Sequence, residues 1–389
     1  MHATVSHSPQ LVICHEPSLR DVLASWPKID LHRHLEGSLR LSTLAEIARE
    51  HGVDLPSWDI EKLRPYVQVV DDPPGFQSFL SKFRLLRRFY STYEAVMRVA
   101  YEAVADAAAD NVKYLELRFN PVALSKVQGY DYADVAEWVI AGTELAQHDY
   151  DIQVRLIAQI GRDESLEVAW QVAQLAAACQ ARSFVGIDLA GDEINYPAGH
   201  FAPVFQWAKG QGLYITIHAA EAGRATNVRE AIQLLGADRI GHGVRAWEDP
   251  SVVDVLIKTQ VPLEMCPTSN LHTGVISNLA RHPLSTYQQL GIRVTINTDD
   301  PSISNTTLTD EYLVAARGMG IPLHAIQQMI LTAAQAAFLP AAEREALVEQ
   351  FRQAFAVAPT GNRHLEMPGS LPPQAQDAQV DKTMGPLLC

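Results

Sequence analysis

The sequence places two histidines one residue apart, in Asp30-Leu31-His32-Arg33-His34. On an extended segment, residues i and i+2 project to the same side, so both rings can reach one metal ion. A third imidazole, His218, ends the β-branched run Leu213-Tyr-Ile-Thr-Ile-His218, and Glu221 follows it three residues later. His242 lies between Gly241 and Gly243, which let the backbone approach a ligand closely. In Thr295-Ile-Asn-Thr-Asp299-Asp300-Pro301, two adjacent carboxylates follow a buried run, which is costly unless they are paired or metal-bound. His32, His34, His218 and Asp299 together offer three neutral imidazoles and a carboxylate, a ligand set suited to Zn2+ with a position left for water. Each fragment alone has a plainer reading, such as surface histidines, a strand-end cap or a tight Gly-His-Gly turn. Their joint placement at strand ends is what points to a metal site.

Missing patterns narrow the chemistry. There is no His-Glu-x-x-His helix motif of the zincin proteases. The His-x-Glu and Pro-Cys-x-x-Cys pair of cytidine-type zinc deaminases is also missing; Cys266-Pro267 is reversed and lacks a second cysteine. The fourth strand ends Gly186-Ile-Asp-Leu-Ala-Gly191-Asp192-Glu193 without the lysine that bridges two metals in many barrel hydrolases, so a single metal is expected.

The elements that must position these residues alternate along the chain. Strands are predicted at Lys28–Leu31, Val112–Phe119, Val154–Ile160, Phe184–Leu189, Tyr214–His218, Arg239–His242, Val261–Met265 and Arg293–Asn297. Helical patterns separate them, among them Tyr93–Asp110, Ala133–His148, Leu166–Ala181, Val228–Leu235 and Val252–Thr259. Such alternation predicts a parallel sheet, and eight units predict an α/β fold of the closed (β/α)8 TIM barrel type. His32, His34, His218, His242 and Asp299 then fall at C-terminal strand ends, the face where barrel active sites lie. A long helical insertion after the first strand, from Arg40 to Asn111, would sit over that face, and extra C-terminal helices are expected over Leu308–Val357. The expected division is an N-terminal extension at 1–24, one barrel domain at 25–357 and a Pro-rich, poorly packed tail at 358–389.

Composition excludes several classes. Of 389 residues, 47% are hydrophobic and 20% charged, so disorder and coiled coil fail as overall descriptions. The formal charge of −14 repels phosphate backbones and anionic membranes, so neither nucleic acid nor a membrane is an expected partner. The most basic stretch, Lys82 to Arg88, reads as one face of a helix. Four scattered cysteines make no disulfide framework, and the opening MHATVSHSPQLVICHEP carries no secretory pattern, so a cytoplasmic setting is expected. Nothing in the sequence specifies an oligomeric state.

Six motifs together resemble the adenosine deaminase family of the amidohydrolase superfamily. They are Pro27-Lys-Ile-Asp-Leu-His-Arg-His-Leu-Glu-Gly37, Ile187-Asp-Leu-Ala-Gly-Asp-Glu193, His218-Ala-Ala-Glu221, Arg239-Ile-Gly-His-Gly243, Cys266-Pro-Thr-Ser-Asn270 and Ile296-Asn-Thr-Asp-Asp-Pro301, in family order. The resemblance implies one zinc held by His32, His34, His218 and Asp299. It implies that His242 orients the attacking water and stabilises charge on it or takes its proton, with Asp299 sharing that transfer. By the same resemblance a protonated Glu221 donates to purine N1, Asp300 meets N7, the Gly191 N–H faces N3, and His34 and Glu36 border the substrate. The implied reaction is hydrolysis of adenosine, and of 2′-deoxyadenosine, at C6 to the inosine product and ammonia. Two positions depart from the common pattern. Ala220 stands where the family text has glycine, and Glu36 stands where many members have the aspartate that meets the ribose 5′-hydroxyl. Glutamate there also occurs in relatives acting on adenine or 6-aminodeoxyfutalosine, so those substrates are the alternative.

Overall fold

A computed structural model describes residues 17–357; the expected tail at 358–389 and most of the 1–24 extension lie outside the described residues. Eight strands follow in chain order: β1 Lys28–His34, β2 Val112–Phe119, β3 Gln153–Gly161, β4 Phe184–Ala190, β5 Tyr214–Ala219, β6 Arg239–His242, β7 Leu263–Met265 and β8 Val294–Ile296. Each pairs in parallel with its successor, in the spatial order β1 to β8. The ladder closes where Asp299 bridges Arg33 across the β8–β1 seam. There the His34 N–H donates to Asp299 O (2.8 Å) and the Asp299 N–H to His32 O (2.8 Å). The fold is therefore the (β/α)8 barrel.

Strand positions differ from the sequence expectation mainly at the seam. β1 runs three residues further than predicted, to His34, because Arg33 and His34 pair with Leu117 and Arg118 of β2 while the seam bonds hold their other edge. β7 and β8 are shorter than predicted at both the apolar Val261 and the polar Arg293 ends. All seven residues of β1 are buried, charged ones included. A parallel strand in a barrel has helices on one side and the filled interior on the other, so neither face meets water.

That interior is ionic. Glu116 and Arg118 on β2, Asp188 on β4, Arg239 on β6 and Glu264 on β7 are all essentially inaccessible. Arg118 pairs with Asp188 (3.1 Å) and Glu264 (2.9 Å), and Arg239 with Glu264 (2.5 Å) and Glu116. Buried charges are tolerated when each has such partners. The base is plugged by Phe338, whose ring stacks on Tyr214 (4.7 Å) and carries the Arg239 guanidinium 3.4 Å from its centroid. The helices Leu323–Ala336 and Ala341–Val357 hold this plug from either side.

The insertion after β1 forms the helices Leu41–His51, Ile60–Val67, Phe76–Ser81 and Phe83–Leu86 before Tyr93–Ala109 leads into β2. Phe79, Leu86, Phe89 and Tyr90 are buried beneath it, and the Tyr90 hydroxyl donates to Leu35 O (2.8 Å), tying the insertion to the end of β1. At the other end of the chain, the Leu19–Ser25 helix begins with a Ser18–Asp21 capping box and buries Leu23. Among the described residues no helix is long and apolar enough to cross a membrane.

Candidate active site

The seam builds the site. Asp299 is held between the backbones of His32 and His34, which brings its Oδ1 to 3.2 Å from the Nε2 atoms of both rings. The two Nε2 atoms are 3.3 Å apart. His218, at the end of β5, packs edge-on with its ring centroid 4.6 Å from that of His32 and 5.3 Å from that of His34. His242, at the end of β6, completes the cluster. Donor atoms of His32, His218, His242 and Asp299 lie within 4.8 Å of one another, and so, as an overlapping group, do those of His34, Asp299 and Asp300. The structure thus brings His242 as close to the cluster as the four residues expected to hold the metal.

Each of the three expected histidine ligands is held from behind through Nδ1. His32 meets Glu264 Oε2 (2.7 Å), His34 meets Gln159 Oε1 (2.8 Å) and His218 meets Asp188 Oδ1 (3.1 Å). A carboxylate or amide oxygen accepts, so Nδ1 carries the proton and each Nε2 lone pair faces inward. Burial favours protonating Glu264, yet Arg118, Arg239 and His32 outweigh it and hold its carboxyl well below the usual range. His218 is lowered to about 4, chiefly by burial, and so stays neutral. Lone pairs of His32 Nε2, His34 Nε2 and Asp299 Oδ1 therefore crowd together with no hydrogen to share. A cation placed among them resolves that crowding, and borderline nitrogen and oxygen donors suit a transition-metal ion.

Glu221 follows β5 on a loop held by Glu193, which accepts from the N–H groups of Ala220 (2.9 Å) and Gly223 (2.5 Å) and from Asn227 (3.0 Å). Glu221 Oε2 lies 3.6 Å from His242 Nε2. Burial, reinforced by the charges of Asp299, Glu193 and Asp300, raises Glu221 well above an ordinary carboxylic acid. Asp300 is raised well above its usual value for the same two reasons, burial and then Asp299. Its carboxylate packs against Gly37, where a Cβ would come within 1.9 Å of Oδ1; the glycine is required by that approach. Gly191, at the end of β4, has φ +109, a conformation open to glycine. Backbone strain gathers here too: Ala220 (φ 52), His242 (φ 61) and Asp299 (φ 64) all adopt the left-handed region.

One pocket is lined by His34, Glu36, Gly191, His218, Glu221, His242, Asp299 and Asp300, with Phe76, Phe79, Leu80, Phe83 and Arg87 of the insertion above them. Every residue expected to bind metal or substrate or to act in catalysis borders it except His32, which lies fully buried. Glu36 accepts from the Asn120 N–H (3.1 Å) through Oε1, whereas Oε2 is buried without a protein partner. Asp300 Oδ1 and Arg87 Nε are in the same condition. Sequence reasoning did not single out Gln159, Glu264 or Arg87. The available signal was a lone charge between apolar neighbours in Leu263-Glu264-Met265; Arg87 falls in the basic run Lys82 to Arg88, and only the fold buries its Nε.

A parallel barrel with a histidine–carboxylate cluster at its C-terminal mouth, and beside it a buried acid whose pKa burial raises, defines a hydrolase of the barrel deaminase class. The family model described as "Adenosine deaminase" matches residues 27–354. An adenosine deaminase of Klebsiella pneumoniae (strain 342) is 38% identical over 327 residues, covering 84% of this chain and 98% of that protein. Among solved structures, an adenine deaminase from Arthrobacter aurescens superposes with a TM-score of 0.78 at 28% identity, covering 85% of this chain and all of the other. The N6-methyl-AMP deaminase of Arabidopsis thaliana gives 0.76 at 29% identity, with coverages of 86% and 98%. The chain belongs to the adenosine deaminase family, and it is a hydrolytic deaminase.

Proposed function

We propose that the protein hydrolyses adenosine, and 2′-deoxyadenosine, to the inosine product and ammonia, with one Zn2+ held by His32, His34, His218 and Asp299. The observation that carries this reading is the convergence of three inward Nε2 atoms on Asp299 at the barrel mouth, with Glu221, its carboxyl raised by burial, beside them. A zinc ion in that set supplies Lewis acidity that lowers the pKa of water toward neutrality. The remaining chemistry belongs to side chains. Glu221 carries its proton at neutral pH and donates it to purine N1, which withdraws electron density from C6. Water oxygen bonds to C6 and the exocyclic C–N bond breaks; one water proton goes to the departing nitrogen, which leaves as ammonia, the Glu221 proton stays on N1, and the second water proton returns to Glu221 as the C6 carbonyl forms. His242 and Asp299 flank the face from which that oxygen approaches. Asp300, its carboxyl pushed up by burial and by Asp299, donates to N7; the Gly191 N–H donates to N3. Glu36 Oε2, buried and unpartnered, accepts from the sugar 5′-hydroxyl, and His34 borders the same end.

Adenosine is favoured over adenine by the 38% identity to an adenosine deaminase along nearly its whole length, against 28% for the adenine deaminase. We place the catalytic domain at residues 25–357, with 1–24 as an extension whose described end is tied down by Leu23 burial and an Arg20–Asp310 ion pair. The test is ammonia release by the purified zinc-loaded enzyme from adenosine, adenine and 6-aminodeoxyfutalosine in parallel. The expected result is the highest kcat/KM for adenosine; faster turnover of either other substrate overturns the assignment.

A further inference from the structure

His242 sits as near the metal cluster as the proposed ligands, so something must set it apart from them. We propose that Asn270 and His282 are positioning residues that hold His242 in its Nε2–H tautomer, with the Leu284 backbone N–H fixing the direction of the chain.

The polarity follows step by step from the one member that can only donate. The Leu284 N–H points at His282 Nδ1 (3.2 Å), so that nitrogen accepts. His282 is buried, which lowers its pKa to about 3, so the ring is neutral and its single proton sits on Nε2. That proton is donated to Asn270 Oδ1 (3.2 Å), which settles which way the amide points. Asn270 Nδ2 then donates to His242 Nδ1 (3.1 Å). His242 accordingly carries its proton on Nε2, the atom facing Glu221 Oε2 (3.6 Å) and Asp299 Oδ2 (4.0 Å). Flipping the Asn270 amide would require a proton on His282 Nδ1, directly against the Leu284 N–H. All three side chains are buried, so water does not compete for these bonds.

The arrangement is the reverse of that at His32, His34 and His218, where Nδ1 donates outward and the Nε2 lone pair faces the cluster. Three rings are thus set to bind a cation and the fourth to donate a hydrogen bond beside it, from residues of the same type at the same barrel mouth. His242 meets the reacting oxygen as a donor. The effect on turnover rests on the deamination reading above, whereas the tautomer does not.

The test reads both. Nitrogen NMR of histidine-labelled, metal-loaded enzyme should show His242 as the Nε2–H tautomer at neutral pH; the Nδ1–H tautomer or a doubly protonated ring overturns the proposal whether or not any aminopurine is turned over. Asn270→Asp presents acceptor oxygens to His242 and should invert the tautomer. Its kcat should fall by at least about 100-fold with metal stoichiometry retained, since a wrong histidine tautomer costs about 10⁴ in a serine protease. His282→Gln can still donate to Asn270 and should stay within about threefold of wild-type kcat, whereas His282→Leu should lose about tenfold in kcat with KM unchanged. Near-wild-type kcat in folded Asn270→Asp, or equal losses in the two His282 variants, overturns the positioning role. If Asn270→Asp fails to fold, the His282 pair and the wild-type spectrum decide.

Discussion

The two ends of the pocket are built on opposite plans. At the metal end each imidazole is gripped from behind, and the grips continue through Glu264 and Asp188 to Arg118, Arg239 and the Phe338 plug at the barrel base. At the insertion end, Glu36 Oε2 and Arg87 Nε are buried without protein partners, beneath short helices that contribute Phe76, Phe79, Leu80 and Phe83. Chemistry needs groups fixed before substrate arrives, because donors already in place need no reorganisation during reaction. Recognition needs the reverse, polar atoms left open for the ligand to satisfy. A buried polar atom that stays unpaired in the free enzyme is paid for by the substrate that pairs it.

The widest separation between the ends should come from Glu221→Gln. The amide keeps size and burial but has no acidic proton for N1, so kcat should fall by about 10²–10⁴ while metal content and KM change little. Steady-state kinetics beside metal analysis check this, and activity within tenfold of wild type would remove Glu221 as the acid. Glu36→Gln acts at the other end. It should raise KM for adenosine about tenfold, or about 1.4 kcal/mol, with kcat nearly unchanged. With 5′-deoxyadenosine as substrate the variant and wild type should match, because the hydroxyl that Glu36 receives is gone. An equal loss on both substrates would place Glu36 elsewhere in the mechanism.

The barrel, and the side chains at its mouth, were legible in the sequence because strand-end chemistry is local: His218 closes its own β-branched run, and Asp299 follows its own strand. What could not be read depends on closure. The grip of Glu264 on His32 spans 232 residues and that of Gln159 on His34 spans 125. In the sequence, Glu264 is one acid inside a three-residue strand, and only the closed barrel aims it at a histidine. The β8–β1 seam explains why the sequence pattern ends β1 three residues short, since its last residues are held extended by Asp299, far along the chain. The left-handed conformation of His242 and Asp299 was equally hidden, because Asp and His are enriched at positive φ but adopt it in only a small minority of cases.

Ala220 tests whether the strain at the metal end is needed or merely tolerated, and it should give the smallest effect. At φ 52 an alanine is in a region that costs an L-residue about 1–2 kcal/mol, and glycine there is unstrained. Against that relief, glycine loses about 0.4–1 kcal/mol through greater freedom in the unfolded chain and forfeits burial of one methyl, about 0.8 kcal/mol. The methyl is fully buried, so the second loss applies in full. These contributions nearly cancel, so Ala220→Gly should remain within about 1 kcal/mol of wild type in denaturant unfolding. Catalysis should hold within about twofold, because the anchor of the Glu221 loop is the Ala220 backbone N–H donated to Glu193, which the substitution leaves in place. A stabilisation beyond about 2 kcal/mol would mean that the methyl is held at a cost for some gain in kcat or KM; an equal destabilisation would mean that packing of this methyl, and not backbone relief, governs the turn that carries Glu221.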